Sequence, residues 1–412
     1  MRNLFKINKI LPHIENPKTP LLFYALSFLS VIILENFLEI FSDTAQVTFR
    51  LLPYNKLVYA LAGINIAISF THTTLWWIAV ALFFPLVFSY ITKEETPKIL
   101  RAVFAFSFIA ILTPAADLIL SKGKGFDIHY FSPTAPIDFF LFYKALTPGE
   151  ILTCACALIL SFCYCYFKTK NLFKTLEGVF LIYAGMFLSF TLPYLIKHSA
   201  AFIGTAAKNL NPLIVARLLF IIIFFELSAL FYSTDKKIFK GTFKAAGAPR
   251  ILSSILLLAF GIFLFSAYPL NVILENMGCF LLTSISFTLV LIFTGALRGG
   301  LLNEPRHLKI SIFCLALAGL AAALVNVTTF YFLLLIAGSS VFCYLAPFQL
   351  KNIPALYNIV KSFNLLLVII LGWLFAGGEI MEFPHILIIY FIILVFNIAA
   401  KTFSRLYSAF NK

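Results

Sequence analysis

Charge is scarce in this chain. Asp, Glu, Lys and Arg make up only 12% of its 412 residues, against 61% apolar. A soluble fold of that composition could not cover its own exterior with polar groups, which excludes an ordinary cytosolic enzyme. The common catalytic signatures are missing as well: there is no Walker loop, dinucleotide fingerprint, HExxH pair or GxSxG elbow. The six histidines have no ligand spacing and read as interfacial side chains. The seven cysteines form no CxxC pair and lie in or beside apolar runs, as small buried hydrophobes do. Cys163 and Cys165 would point about 200° apart on a helix, which rules them out as joint metal ligands.

Long apolar runs fill the space that charge leaves. A bilayer span needs about 20 such residues. Candidates lie at 20–41, 74–92, 99–120, 150–167, 175–196, 212–232, 251–270, 276–296, 309–326, 328–346, 359–377 and 385–401. The expected fold is therefore an all-α integral membrane protein of twelve transmembrane helices. The first run is too long for a signal-peptide core and has no small-residue cleavage site, so it reads as a retained span. Residues 57–70 are apolar but short, and fit an interfacial or re-entrant helix better than a span of their own.

The basic residues give the orientation. With twelve spans and the N-terminus inside, most of the 31 Lys and Arg fall on inner segments. After residue 250 no outer loop carries one. This bias places both termini in the cytoplasm and the protein in the cell (inner) membrane. It also assigns the net charge of +14 to topology and anionic headgroups, with no nucleic-acid partner. The expected segments are a basic tail 1–19, a first half 20–232 with long outer stretches 42–73 and 121–149, a basic linker 233–250, a second half 251–401 and a tail 402–412.

The halves share short motifs. Phe162-Cys163-Tyr164 and Lys170-Asn171-Leu172 parallel Phe342-Cys343-Tyr344 and Lys351-Asn352-Ile353, each after the fourth span of its half. Glu95-Thr96-Pro97-Lys98 and Glu304-Pro305-Arg306 both join second and third spans. Parallel duplication into two six-helix repeats is one reading, and chance recurrence at membrane boundaries is the other.

The segment Tyr344-Leu345-Ala346-Pro347-Phe348-Gln349-Leu350-Lys351-Asn352-Ile353-Pro354 resembles the Tyr-x-x-Pro-x-x-Leu-Lys-x-x-Pro loop of UbiA-type membrane prenyltransferases. The following span, ending Gly372-Trp373-Leu374-Phe375-Ala376-Gly377-Gly378, is similar to that family too. The resemblance covers about residues 245–401. It implies a UbiA-like helical bundle handling an isoprenoid or another lipid, with a prenyl diphosphate as substrate. Arg298, Asn303, Glu304, Arg306, Lys309 and Lys351 are then the substrate-binding candidates. The family binds magnesium through aspartate-rich loops, but this chain has Arg298-Gly299-Gly300-Leu301-Leu302-Asn303-Glu304-Pro305-Arg306 at the first such place. One glutamate among cations cannot hold a divalent metal as the family does. Magnesium belongs here only if an unorthodox site survives, with Glu94 and Glu95 as the further acids available. A divergent relative, either a prenyltransferase with an altered site or one without catalysis, fits this pattern better than an ordinary member of the family.

A second constellation lies at the opposite side. Glu35, Glu39 and Asp43 follow i, i+4, i+8 spacing and share a helix face. Asp117 and Arg217 sit near the same outer level, so these five are outer-cavity candidates. The arrangement resembles GT-C glycosyltransferases, which use polyprenyl-phosphate sugars. The other reading is an interfacial acidic helix end with Arg217 snorkelling outward. Glu226 lies deeper in the sixth span, too far along the helix to pair with Arg217. A six-plus-six transporter is the third class, and Pro114 is its hint of a broken helix.

Two expectations are testable on sequence grounds alone. In a cysteine-free background, cysteines placed in 1–19, 233–250 or 402–412 should label only from the cytoplasmic side, and those in 121–149 only from outside. Labelling of residue 240 from outside alone would overturn the topology. Binding of a lipid phosphate at the inner face should be metal-independent: Glu304→Gln should leave it intact, while Arg306→Gln weakens it.

Overall fold

The computed structural model describes residues 7–42, 56–123, 126, 138–141, 143, 146–202, 212–266, 268–298, 305–344, 350–376 and 388–399. These residues form an all-α structure with no sheet among them. Ten helices are long and apolar enough to cross a membrane, and eleven if the pair Lys236–Lys244 and Ala248–Leu264, bent by 54°, counts as one. The twelfth expected run holds only the helix Ile388–Ala399 among the described residues, a rise of about 18 Å, short of a bilayer core. The chain divides into two compact units, Met1–Lys236 and Lys237–Lys412.

In the first unit, α1 (Ile7–Ile14) is followed by α2 (Leu21–Ser42) and α3 (Lys56–Thr92). Residues 57–70 are not a separate interfacial or re-entrant helix. They continue the second span backwards, giving α3 37 residues. No proline interrupts the sequence between Lys56 and Phe84, so nothing forces the helix to stop there. The third span is broken into α4 (Thr96–Ala105), a 3-10 turn (Ser107–Ile111) and α5 (Leu112–Leu120). Pro114 accounts for the break: it has no amide for the Ala110 carbonyl, and its ring crowds that carbonyl. The short α6 (Asp138–Leu141), then α7 (Pro148–Thr169), α8 (Leu172–Phe202) and α9 (Pro212–Thr234) complete the unit.

Helix α3 is the hub, packing on α2, α4, α7, α8 and α9. Helix α2 lies along α4, the 3-10 turn and α5. Ile32, Ile99, Ile182 and Leu219 are fully buried between them, whereas Leu22, Phe23, Leu26 and Phe37 of α2 are exposed. Exposed apolar rows of this kind are expected where lipid is the solvent.

The second unit runs α10 (Lys236–Ala246), α11 (Ala248–Phe265), α12 (Pro269–Glu275), α13 (Met277–Arg298), α14 (Pro305–Val325), α15 (Val327–Tyr344), α16 (Pro354–Phe375) and α17 (Ile388–Ala399). Helix α13 is the central one: 72% of its apolar window is buried, against 50% for α16. Its Thr283 and Ser286 hydroxyls return to the carbonyls of Cys279 and Leu282, so the buried face shows no unmet polar group there. Helices α11 and α16 meet at Gly261 and Gly372. A methyl group on Gly261 would collide with the Ile369 carbonyl, and one on Gly372 with that of Leu258. Small residues let the two backbones touch, the usual source of helix association in lipid.

Gly261→Ala or Gly372→Ala should therefore destabilise the protein by about 1–3 kcal/mol, the range for overpacking. Gly338→Ala, whose methyl would meet no atom within 4 Å, is the control and should be neutral or better. Thermal unfolding in detergent reads the difference, and equal losses in all three would refute the close-packing account.

Candidate functional site

A cavity of about 110 Å³ lies inside the first unit. Helices α2, α3, α4, α7 and α8 and the 3-10 turn wall it, and Leu11 of α1 reaches it. Aromatic and aliphatic groups dominate the wall, among them Phe28, Trp76, Trp77, Phe84, Phe88 and Phe190.

The few hydroxyls are already engaged. Ser107 Oγ donates to the Phe104 carbonyl at 2.7 Å, and Ser161 Oγ to that of Ala157 at 2.7 Å. Thr153 Oγ1 lies 2.8 Å from Thr113 Oγ1. What faces the space is therefore hydrocarbon, ring and thiol. An apolar cavity of about 150 Å³ stays dry and takes a benzene-sized guest, so this one suits a ring or a segment of chain and excludes a headgroup.

Two prolines border it. Pro85 of α3 and Pro114 of α5 each lie four residues after a wall residue, Ala81 and Ala110. Each proline removes the amide that the carbonyl of that alanine would otherwise use. Non-helical backbone at membrane depth is tolerated where it is buried or lines a cavity, as the 3-10 turn does here.

Helix α7 is set against α5 by a cap. Thr147 is its N-cap, Pro148 follows, and Glu150 completes a capping box: Glu150 N donates to Thr147 Oγ1 at 3.2 Å and Thr147 N to Glu150 Oε2 at 2.7 Å. Asp117 of α5 adds a second layer, accepting from Thr147 Oγ1 at 2.6 Å and Gly149 N at 2.7 Å. A methyl on Gly149 would strike the Thr113 carbonyl, so only glycine allows this approach.

One end of the cavity carries an ionic network. Tyr164, a wall residue, donates to Glu15 Oε1 at 3.3 Å. Lys168, one turn further along α7, pairs with Glu15 Oε2 at 2.6 Å and Glu94 Oε1 at 3.3 Å. Lys98 pairs with Glu95 at 3.3 Å and Glu94 at 3.9 Å. Glu15 directly follows α1, and Arg101 Nε donates to the Thr19 carbonyl at 3.3 Å. These contacts strap residues 7–20 across the cavity end, with Leu11 as its apolar stopper.

The candidates named from sequence are spread over both units. Glu35 is buried on α2 with Glu39 half-buried one turn on, and Asp43 lies outside the described residues. Asp117 has both oxygens committed to the α7 cap, and Arg217 is half-buried near the start of α9. Glu226 is buried, and its Oε2 has no hydrogen-bond partner among the described residues. In the second unit, Arg298 ends α13, and Arg306 and Lys309 lie in the first turns of α14, all exposed. Asn303, Glu304 and the Lys351 side chain fall outside the described residues. Tyr344 and Tyr357 share a hydrogen bond of 2.9 Å, with Arg298 in electrostatic reach of Tyr344, so the ends of α13 and α15 adjoin. Among the described residues no three His, Cys, Asp or Glu could hold a metal ion. Exposed arginine and lysine suit an anion there, not a divalent cation.

No protein-family model, curated protein or solved structure matches the chain.

Asp117→Ala should cost about 2–3 kcal/mol, because it strips two bonds to a charged acceptor from a buried helix start. Thr147→Val should cost about 1 kcal/mol as a lost cap. Chemical or thermal unfolding of the purified variants would detect both, and an unchanged Asp117→Ala would show that the cap does not hold α5 to α7.

Proposed function

We propose that the protein holds an isoprenoid or another lipid within the membrane, the apolar chain occupying the cavity of residues 1–236. The observation that carries this is the wall itself: its hydroxyls are satisfied internally, so only an apolar group gains by entering. The network around Lys168, Glu15 and Tyr164 supplies a polar station for a headgroup at one end. The UbiA-like reading of residues 245–401 is a separate part of the proposal, confined to the second unit, with Arg298, Arg306 and Lys309 there as metal-independent phosphate contacts. The charge bias supports cytoplasmic termini.

Movement of that lipid across the membrane is the second reading. It is favoured by the broken third span, since discontinuous helices beside a mid-membrane cavity are how many transporters form their sites. The outer acidic residues on which a glycosyltransferase reading rests give less support, because Asp117 is committed to a cap.

Tryptophan supplies the assay. The chain has three, and two of them line the cavity. In a Trp373→Phe background, an uncharged brominated amphiphile such as bromoundecanol should quench Trp76 and Trp77 saturably. Filling the cavity by Ala157→Phe should weaken the apparent affinity at least about tenfold, or ~1.4 kcal/mol. Quenching that rises linearly and ignores the filling substitution would refute the lipid-binding reading. Dithionite reduction of a fluorescent phospholipid in proteoliposomes tests the transport reading separately.

A further inference from the structure

Glu35 has no role in the cavity wall or in the ionic network, yet it is the more deeply buried of the two carboxyl groups in the first unit with an unpartnered oxygen among the described residues, Glu226 being the other. It sits inside an apolar span with 2% of its surface exposed. Its Oε2 has no hydrogen-bond partner among the described residues. The polar group beside it, Asn36, directs its amide elsewhere, to the Ile32 carbonyl at 2.8 Å and Thr74 Oγ1 at 3.4 Å. Glu39 follows one turn on, half-buried on the same helix face. The donor that Glu35 does have is the Trp77 side chain on α3. That same indole forms part of the cavity wall.

Among the described residues, an ionised carboxylate in this position lacks the solvation or countercharge that buried charges require. Two occupants could supply it, a metal cation or a proton. A cation would need several oxygen ligands, and no three His, Cys, Asp or Glu converge among the described residues. A proton needs only the unpartnered oxygen.

We propose that Glu35 is a proton-binding site coupled to the apolar cavity through Trp77, so that lipid and proton bind together. The coupling rests on the lipid-binding reading above. Neutral Glu35 leaves the Trp77 wall without a charge behind it, the condition that suits a hydrocarbon guest. Ionised Glu35 draws water towards the same wall and opposes that guest. Linkage then makes the effect reciprocal: the proton raises lipid affinity by the factor with which lipid raises proton affinity.

The surrounding titratable groups leave the site to Glu35. Among the described side chains on the elements packed against α2 these are His72 and Tyr90 on α3, Lys98 and Arg101 on α4, and Asp117 on α5, and the 3-10 turn has none, while Lys56 and Tyr59 of α3 have side chains outside the described ones. Arg101 is bonded to the Thr19 carbonyl and Lys98 is paired with Glu94 and Glu95, at the opposite end of the spans from Glu35, as is Tyr90. Both Asp117 oxygens are taken by the α7 cap. Glu39 and His72 remain at the Glu35 end, and Glu39→Gln and His72→Gln variants serve as controls.

The test uses the full chain reconstituted in lipid nanodiscs, with two readouts. Infrared difference spectra between acidic and alkaline buffer, compared variant against parent so that Glu226 and the other carboxylates cancel, should contain a carboxylic-acid C=O component belonging to Glu35. It should be lost in Glu35→Gln and kept in Glu39→Gln and His72→Gln. Bromoundecanol has no titratable group, so any pH dependence of its quenching belongs to the protein. In Trp373→Phe its affinity should fall with rising pH, by at most about tenfold per pH unit for one linked proton. Glu35→Gln should bind at the acidic-limit affinity at every pH. Trp77→Phe removes the linking N–H and should flatten the pH dependence while the infrared band remains. A band that is absent, or that survives Glu35→Gln, overturns the proton site. An assigned band with pH-independent quenching overturns the coupling. An assigned band with no saturable quenching at any pH leaves the proton site standing and refutes the lipid-binding reading instead. If Glu35→Gln does not fold, Glu35→Asp, which keeps the acid but shifts its C=O frequency, assigns the band in its place, and a band unmoved by Glu35→Asp overturns the proton site.

Discussion

The start of helix α7 is where the first unit is held in register. Four backbone amides at a helix N-terminus have no partner within the helix, and at a start as buried as Thr147–Glu150 water is not there to serve them. This chain meets the problem twice over, with the Thr147–Glu150 capping box and with the Asp117 carboxylate reaching across from α5. The carboxylate gains at a helix start, where the dipole favours negative charge. In exchange α5 is fixed against α7 closely enough that only Gly149 fits beneath Thr113. The cavity lies beside this joint, with Thr153 on one side and the 3-10 turn on the other. If α5 slid along α7, the wall would not close.

A second constraint shapes the opposite end. Lys168 shares two carboxylates, and Glu15 has both of its oxygens in use. Ion pairs that are partly withdrawn from water bind residues of distant sequence more firmly than surface pairs, because losing one partner strands the other. The pairing joins the chain before the first span to the end of the fourth. The apolar space is thus bounded by a capped helix start and by an ion-paired strap, two polar devices around a hydrocarbon interior.

Much of the fold was legible from composition and spacing. Apolar runs of about 20 residues give spans wherever lipid is the solvent, and most of the expected runs appear as helices with their boundaries little changed. The break in the third span was hinted at by Pro114, and the Thr147-Pro148-Gly149-Glu150 signature of the α7 cap stands in the sequence for anyone who reads capping boxes. The role of Asp117 was not legible. An acidic residue near a span end reads as a site, and only the approach of a helix start thirty residues later makes it a cap. The Glu15–Lys168 pair joins residues too distant for any periodicity to connect, and the cavity arises from five helices at once. Residues 57–70 misled by their length alone, since a short apolar run looks like a separate helix when the turn that ought to divide it from the next span is absent.

That last feature has a mechanical side. A helix of 37 residues measures roughly 55 Å along its axis, while the hydrocarbon core is about 30 Å thick. Even at 40°, near the upper end of ordinary tilts, such a rod rises about 42 Å. Its N-terminal stretch, Leu57-Val58-Tyr59-Ala60-Leu61-Ala62-Gly63-Ile64-Asn65-Ile66-Ala67-Ile68-Ser69-Phe70, is too apolar to be shed into water without cost. The stretch Phe70–Thr92 alone is long enough to cross the core, so α3 is a span with an apolar extension of about four turns, and that extension sets how far the rod reaches past one face of the bilayer.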